Sequence, residues 1–137
     1  MDCIFCKIAN GEIPSTTLYE DEEVRVIFDI NPASVGHVLI LPKTHAASLL
    51  EYPSEKLGTI FALAQKIGNA MIQGLPCDGV NILANCREAA GQTVDHFHVH
   101  IIPRYANAPT KDAMTIESGT IEKPDFDALK EAITKAF

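Results

Sequence analysis

In the stretch DHFHVHIIPR, residues 95–104, imidazoles recur at His96, His98 and His100 with large apolar residues between them. Histidine is the side chain whose ordinary pKa lies nearest neutrality, so such a run suits metal binding, proton transfer or nucleophilic attack. Successive side chains of a strand point to opposite faces. The spacing therefore predicts the three histidines on one face and Phe97, Val99 and Ile101 on the other. Same-face neighbours would stand roughly 7 Å apart, close enough for one small ligand to touch two of them.

Two chemistries compete for the trio. Zinc takes imidazole and thiolate ligands, four of them in a structural site. Cys3 and Cys6 at C-x-x-C spacing, His45 after PKT and the three strand histidines offer such a set. A redox role for the pair is disfavoured, because no βαβ pattern surrounds it. The second chemistry is attack on phosphorus by a neutral imidazole, one nitrogen acting while the other donates to an orienting acceptor. An imidazole whose lone pair sits on zinc attacks nothing, so both chemistries share the strand only by dividing the histidines. A zinc enzyme with HFHVH as its catalytic metal site is a third possibility. Neutral donors for a phosphate lie just upstream, where Asn85, Gln92 and Thr93 surround Gly91, a residue that permits close backbone approach.

The elements that must position these groups follow from periodicity and turn chemistry. VRVIFDI (24–30) and HVLILPK (37–43) read as strands of an antiparallel hairpin, with NPASVG as the turn. From Ser54, apolar residues at Leu57, Ile60, Phe61, Ala64, Ile67, Met71 and Ile72 keep helical spacing, and Gly74 and Pro76 follow its end. GVNILANC (79–86) and TVDHFHVHIIP (93–103) read as two more strands. Near the C-terminus Phe126, Leu129, Ile133 and Phe137 again fall at helical spacing behind Pro124 and Asp125. Strand pairs adjacent in sequence, each followed by a helix, imply an α+β fold on an antiparallel sheet with two main helices. So small a sheet leaves an edge or an apolar helix face to cover, and a homodimer covers it.

Composition sets outer limits. The 137 residues are 47% hydrophobic and 21% charged, ordinary for one globular domain. A formal net charge of −7 without a basic cluster gives a nucleic acid polymer nothing to bind. No apolar run approaches the ~20 residues of a membrane span, and MDCIFCKIANGEIPS lacks the basic region of an export signal. The expectation is a soluble cytoplasmic protein with no membrane partner. Cys77 and Cys86 show no partner signature and read as buried, inert thiols.

The segment GQTVDHFHVHIIPR resembles the H-φ-H-φ-H-φ-φ signature of the histidine triad (HIT) family. The likeness extends through FCKIANGEIPSTTLYEDEEVRVIFDINPASVGHVLILPKTH to the histidine triad nucleotide-binding branch, covering roughly residues 3–105. The resemblance implies an HIT-like domain over 1–105 and a C-terminal extension over 106–137, its helix packed on the domain or a dimer interface. It implies hydrolysis or transfer at the α-phosphate of nucleoside 5′-phosphoramidates or adenylyl conjugates. An asymmetrical dinucleoside polyphosphate hydrolase, or a nucleotide-binding regulatory protein with incidental hydrolysis, is the alternative. Carried onto this sequence, His98 would be the nucleophile, donating from its other nitrogen to the His96 carbonyl, with His100 at the phosphate or leaving group. His37 would border the phosphate, and Asn85, Gln92 and Thr93 would contact the phosphate and leaving group. Asp29 would accept from the ribose hydroxyls. Ile4, Phe5, Ile8, Ile27, Phe28, Ile30 and Leu39 would line a pocket for a purine base. Zinc-containing relatives imply a structural zinc on Cys3, Cys6, His45 and His96.

Overall fold

The structure, a computed structural model, describes residues 3–107 and 124–137. Its centre is the hairpin expected from the turn chemistry. β1 (Thr17–Glu20) leads into β2 (Val24–Phe28), which pairs with β3 (Val38–Pro42) from Val24 opposite Pro42 to Phe28 opposite Val38. The NPASVG turn closes on Gly36 at φ +103°, where a Cβ would meet Pro103 and Leu75 at 3.1 and 3.2 Å, so glycine is required there.

β4 (Gly79–Leu83) and β5 (Val99–Arg104) complete a five-stranded antiparallel sheet in the order β1-β2-β3-β5-β4. The α+β architecture with two main helices is therefore as expected. A short helix, α1 (Ile4–Ala9), precedes β1, and the long helix α2 (Leu57–Gly74) follows β3.

The two faces of the sheet are covered unequally. Ile60, Ala64, Ile67, Gly68 and Met71 form the buried stripe of α2. The stripe packs with Val24, Val26, Val38, Ile40, Val99 and Ile101, and Phe97 joins them. At roughly 1.5–3 kcal/mol for each large apolar side chain buried, this face carries most of the stability. On the opposite face a smaller cluster gathers Ala9, Ile27, Leu39 and Leu41, with Phe5 and Ile8 of α1 partly buried against it. Its thin cover leaves room for a cavity beside the histidines.

Helix α1 and strand β1 lie outside the elements expected from the sequence. Six residues cannot hold a helix alone, and α1 keeps its form through tertiary contacts and a cap, the Cys6 amide donating to Cys3 Sγ at 3.4 Å. The strand expected over 93–103 begins only at Val99, because its ladder with β3 starts at the Ile40–Val99 pair. Before that point the chain turns, with the His96 amide donating to the Val94 carbonyl and the Phe97 amide to the Ala46 carbonyl.

The C-terminal helix, α3 (Phe126–Lys135), is capped by Asp125, whose Oδ1 accepts from the Ala128 amide. Phe126, Leu129, Ile133 and Phe137 are all exposed in the single chain. Much of the expected 106–137 extension, residues 108–123, lies outside the described residues. Among the described residues no helix is long and apolar enough to cross a membrane.

Candidate functional site

The early turn before β5 decides what His98 can do. Because residues 96–98 leave the ladder, the His96 carbonyl is free to accept, and the His98 Nδ1–H donates to it at 2.7 Å. A carbonyl is only an acceptor, so the hydrogen of neutral His98 is on Nδ1 and the lone pair on Nε2. Burial holds His98 below its ordinary pKa, while the His96 carbonyl and the Asp29 charge pull weakly the other way. The result is a neutral imidazole with one nitrogen committed and one free. Phe5 stands edge-on to the ring, centroids 4.9 Å apart, and shields it.

His98 and His100 share the face that carries α1, their ring centroids 4.9 Å apart, closer than ideal strand spacing suggests. Leu39 of β3 stands opposite His100 in register. His100 is pushed down to about 4, by burial first and then by the neighbouring His98 and His37. Behind it His37, the residue just before β3, brings Nε2 to 3.0 Å from His100 Nδ1, while His37 Nδ1 accepts from the Ala33 amide at 3.0 Å. Asp29 Oδ2 lies 3.6 Å from His37 Nε2, and its other oxygen accepts from the Asn31 amide at 2.8 Å.

These groups edge a cavity of about 520 Å³, within the range of small-molecule sites. Its apolar wall is Ile4, Phe5 and Ile8 of α1 with Ile27, Ile30 and Leu39, and its polar end holds Asp29, Thr93, His98 and His100. Phe28 borders it, yet also lines a second groove on the α2 side of the sheet. Ile13, Pro14, Ser15, Thr16, Asn31 and Val94 complete the lining and were not singled out by sequence reasoning. The available signal was the GEIPST turn, which must fold back for α1 to reach the sheet.

Two expected phosphate contacts lie elsewhere. Gln92 is buried with its amide fully used: Oε1 accepts from the Arg87 amide at 2.7 Å, and Nε2 donates to the Ala47 and Val94 carbonyls at 2.6 and 2.8 Å. It holds Arg87 at φ +78°, a left-handed conformation that few non-glycine residues adopt. Asn85 stands beside Gly91, its side-chain nitrogen 3.5 Å from that carbonyl. Neither is among the residues lining the cavity, whereas Thr93 is. Cys77 is buried, as expected, but Cys86 only partly.

His96 lies beside the two cysteines at the start of α1. Its Nδ1 lies 3.4 Å from both Cys3 Sγ and Cys6 Sγ and 3.1 Å from His45 Nδ1, which is itself 3.2 Å from Cys6 Sγ. A tetrahedral zinc with bonds of ~2.0–2.3 Å spaces its ligand atoms roughly 3.3–3.8 Å apart, and these four contacts come close to that spacing, all four ligand atoms lying within 4.8 Å of one another. The His96 Nε2–H donates to the Pro42 carbonyl at 2.8 Å, which turns the Nδ1 lone pair toward the thiols. Burial and the adjacent Cys3 push the Cys6 thiol up to about 11. Two thiolates packed this closely call for a cation. The donor set fits zinc.

A family model, the HIT domain, matches residues 10–107. The chain is 37% identical over 137 residues to an adenosine 5′-monophosphoramidase of Saccharomyces cerevisiae, covering 97% of this chain and 82% of that one. A HIT family protein of Bacillus subtilis superposes with a TM-score of 0.87 at 38% identity, covering 100% of this chain and 98% of that one. A zinc-bound histidine triad family protein of Mycobacterium smegmatis superposes with a TM-score of 0.74 at 36% identity, covering 99% and 96%.

Proposed function

The chain belongs to the HIT domain family, and from that membership we propose that it hydrolyses or transfers at the α-phosphate of nucleoside 5′-phosphoramidates and adenylyl conjugates. The observation that carries the reading is the 2.7 Å bond from His98 Nδ1 to the His96 carbonyl, beside a cavity of nucleotide size. The His98 Nε2 lone pair attacks phosphorus, and the phosphorus–nitrogen bond to the leaving amine breaks as that amine takes up a proton. Water then attacks the nucleotidyl-histidine, releasing the nucleoside monophosphate and restoring the imidazole. His100 supplies a neutral donor to the charge that develops.

The remaining roles follow the walls of the cavity. A purine base lies among Ile4, Phe5, Ile8, Ile27, Phe28, Ile30 and Leu39, which stack without reading base edges, so base preference is broad. Asp29 accepts from the ribose hydroxyls and Thr93 donates to the phosphate. Asn85 and Gln92 serve by holding the loop that carries Thr93. His37 backs His100. Cys3, Cys6, His45 and His96 hold one zinc with no open position, and that ion's part is to tie α1 to the sheet. His96 falls in the Cys/His cluster, His100 beside Asp29 and His37, and His98 in neither group, which argues against HFHVH as one catalytic metal site.

Residues 1–105 act as the catalytic domain, and α3 of the extension serves as a contact between copies. The assembly is a homodimer in which a second copy covers the β4 edge, where Ile82, Phe61 and Ile72 are exposed around a shallow apolar groove. Free thiols as zinc ligands suit the reducing cytoplasm.

Rapid acid quench with radiolabelled adenosine phosphoramidate tests the mechanism. Label should appear on a peptide spanning Gln92 to Arg104 and vanish, with turnover, in His98→Ala, while nucleotide binding survives. Turnover in that variant would overturn the mechanism. Preference for a diadenosine polyphosphate would favour the dinucleoside hydrolase, and binding without any turnover a regulatory role.

A further inference from the structure

We propose that His37 is a positioning residue that fixes the tautomer and aim of His100, and that the main-chain amide of Ala33 in turn fixes His37. The inference rests on the functional reading above and gives that site a hydrogen-bond relay running from a backbone turn to the cavity.

Each link has only one direction. The Ala33 amide is solely a donor, so His37 Nδ1, 3.0 Å away, must present its lone pair. A neutral imidazole then carries its hydrogen on Nε2. The Asp29 carboxylate, 3.6 Å from that nitrogen, favours the same arrangement. The nearest acceptor for the Nε2–H is His100 Nδ1 at 3.0 Å, which must therefore hold a lone pair. The hydrogen of His100 is left on Nε2, the nitrogen remaining for the cavity. An added proton on either ring would set two donors against each other, so the relay holds only while both are neutral.

The relay is braced at its origin. The Ser34 hydroxyl donates to the Pro103 carbonyl, and the Tyr105 hydroxyl donates to the Val35 carbonyl at 2.6 Å. Both bonds tie the turn bearing Ala33 to the end of β5, the strand that carries His100. The triangle of turn, His37 and His100 is thus closed through covalent chain and hydrogen bonds.

The same logic separates this group from the Cys/His cluster, although Asp29, His37 and His100 also bring possible ligand atoms within 4.8 Å of one another. At His96 a carbonyl takes the Nε2–H and frees Nδ1 for a metal. At His37 a metal on Nε2 would require a hydrogen on Nδ1, pointing straight at the Ala33 N–H. With both nitrogens engaged, His37 also has none left for the phosphate it was expected to border.

Side-chain amides of two lengths test the relay. His37→Gln places an N–H where Nε2 stands, whereas His37→Asn reaches only the Nδ1 position. With adenosine phosphoramidate as substrate, His37→Asn should lower kcat about tenfold with little change in KM, and His37→Gln should restore most of it. In a His100→Ala background, His37→Asn should add no further loss, because its effect passes through His100. A similar loss in both backgrounds, or a loss seen mainly in KM, would overturn the proposal in favour of fold support or direct phosphate contact. Independently, ¹⁵N spectra of histidine-labelled protein near neutral pH should show His100 protonated on Nε2 alone in the wild type. A hydrogen on His100 Nδ1 would overturn the relay. If the wild type fails to turn over the phosphoramidate, the functional reading falls, and the spectra still decide the relay.

Discussion

Replacing His100 by asparagine should flatten the acid limb of the stability curve. Burial, with His98 and His37 beside it, holds His100 at about 4 against an ordinary 6.5. Between those values the unfolded chain takes up a proton that the folded chain refuses. The unfolded state therefore binds more protons, and stability falls as pH falls through the window; above 6.5 the contribution is fully present. The full gap corresponds to at most ~3.4 kcal/mol, and the solvent-facing cavity screens it to on the order of 2 kcal/mol. Asparagine is the useful replacement because its carbonyl oxygen stands near the Nδ1 position and still accepts from His37, without a titrating ring. Urea unfolding of both proteins from about pH 8 to about pH 4.5, at one fixed zinc concentration, reads the difference; acid loss of zinc from His45 and His96 then cancels. Near pH 8, where the bond from His37 is kept, the variant should be close to the wild type in stability, and it should gain on the wild type as pH falls. Parallel curves across the window would refute the reasoning, since they would mean that His100 takes up its proton equally in both states.

Asp29→Ala should weaken ribonucleotide binding by roughly 1.5–3 kcal/mol, or about 10- to 100-fold, and leave 2′,3′-dideoxy analogues nearly unaffected, as titration calorimetry would show; equal losses would remove Asp29 from the ribose site. Cys3→Ser/Cys6→Ser should lose zinc by metal analysis and melt at a lower temperature. Nucleotide affinity should fall with it, because Phe5 and Ile8 ride on α1. Stoichiometric zinc in that double variant would show that the ligands are others. Ile82→Lys should sediment as a monomer, and a dimer persisting in it would place the interface away from the β4 edge.

Local signals carried a good part of this protein. The NPASVG turn between two β-branched runs has few conformations other than a hairpin, and the apolar spacing from Leu57 to Ile72 fits only a helix with one buried stripe. A Cys/His cluster was likewise legible, because C-x-x-C and the nearby histidines offered its donors, while the choice of His45 and His96 came from the family resemblance.

Other features depended on atoms far apart in the chain. Helix α1 is too short to be seen in its own residues and exists because Cys3 and Cys6 meet His45 and His96, while Phe5 and Ile8 meet Ile27 and Leu39. The late start of β5 is set by where its ladder with β3 begins, and that break is what frees the His96 carbonyl for His98. Gln92 looked like a phosphate donor and is instead consumed by Arg87, Ala47 and Val94. Residue types state which groups are able to donate or accept. Only the folded chain decides which acceptor lies within 3 Å of which donor, and for His37 and His100 that choice sets where each hydrogen sits.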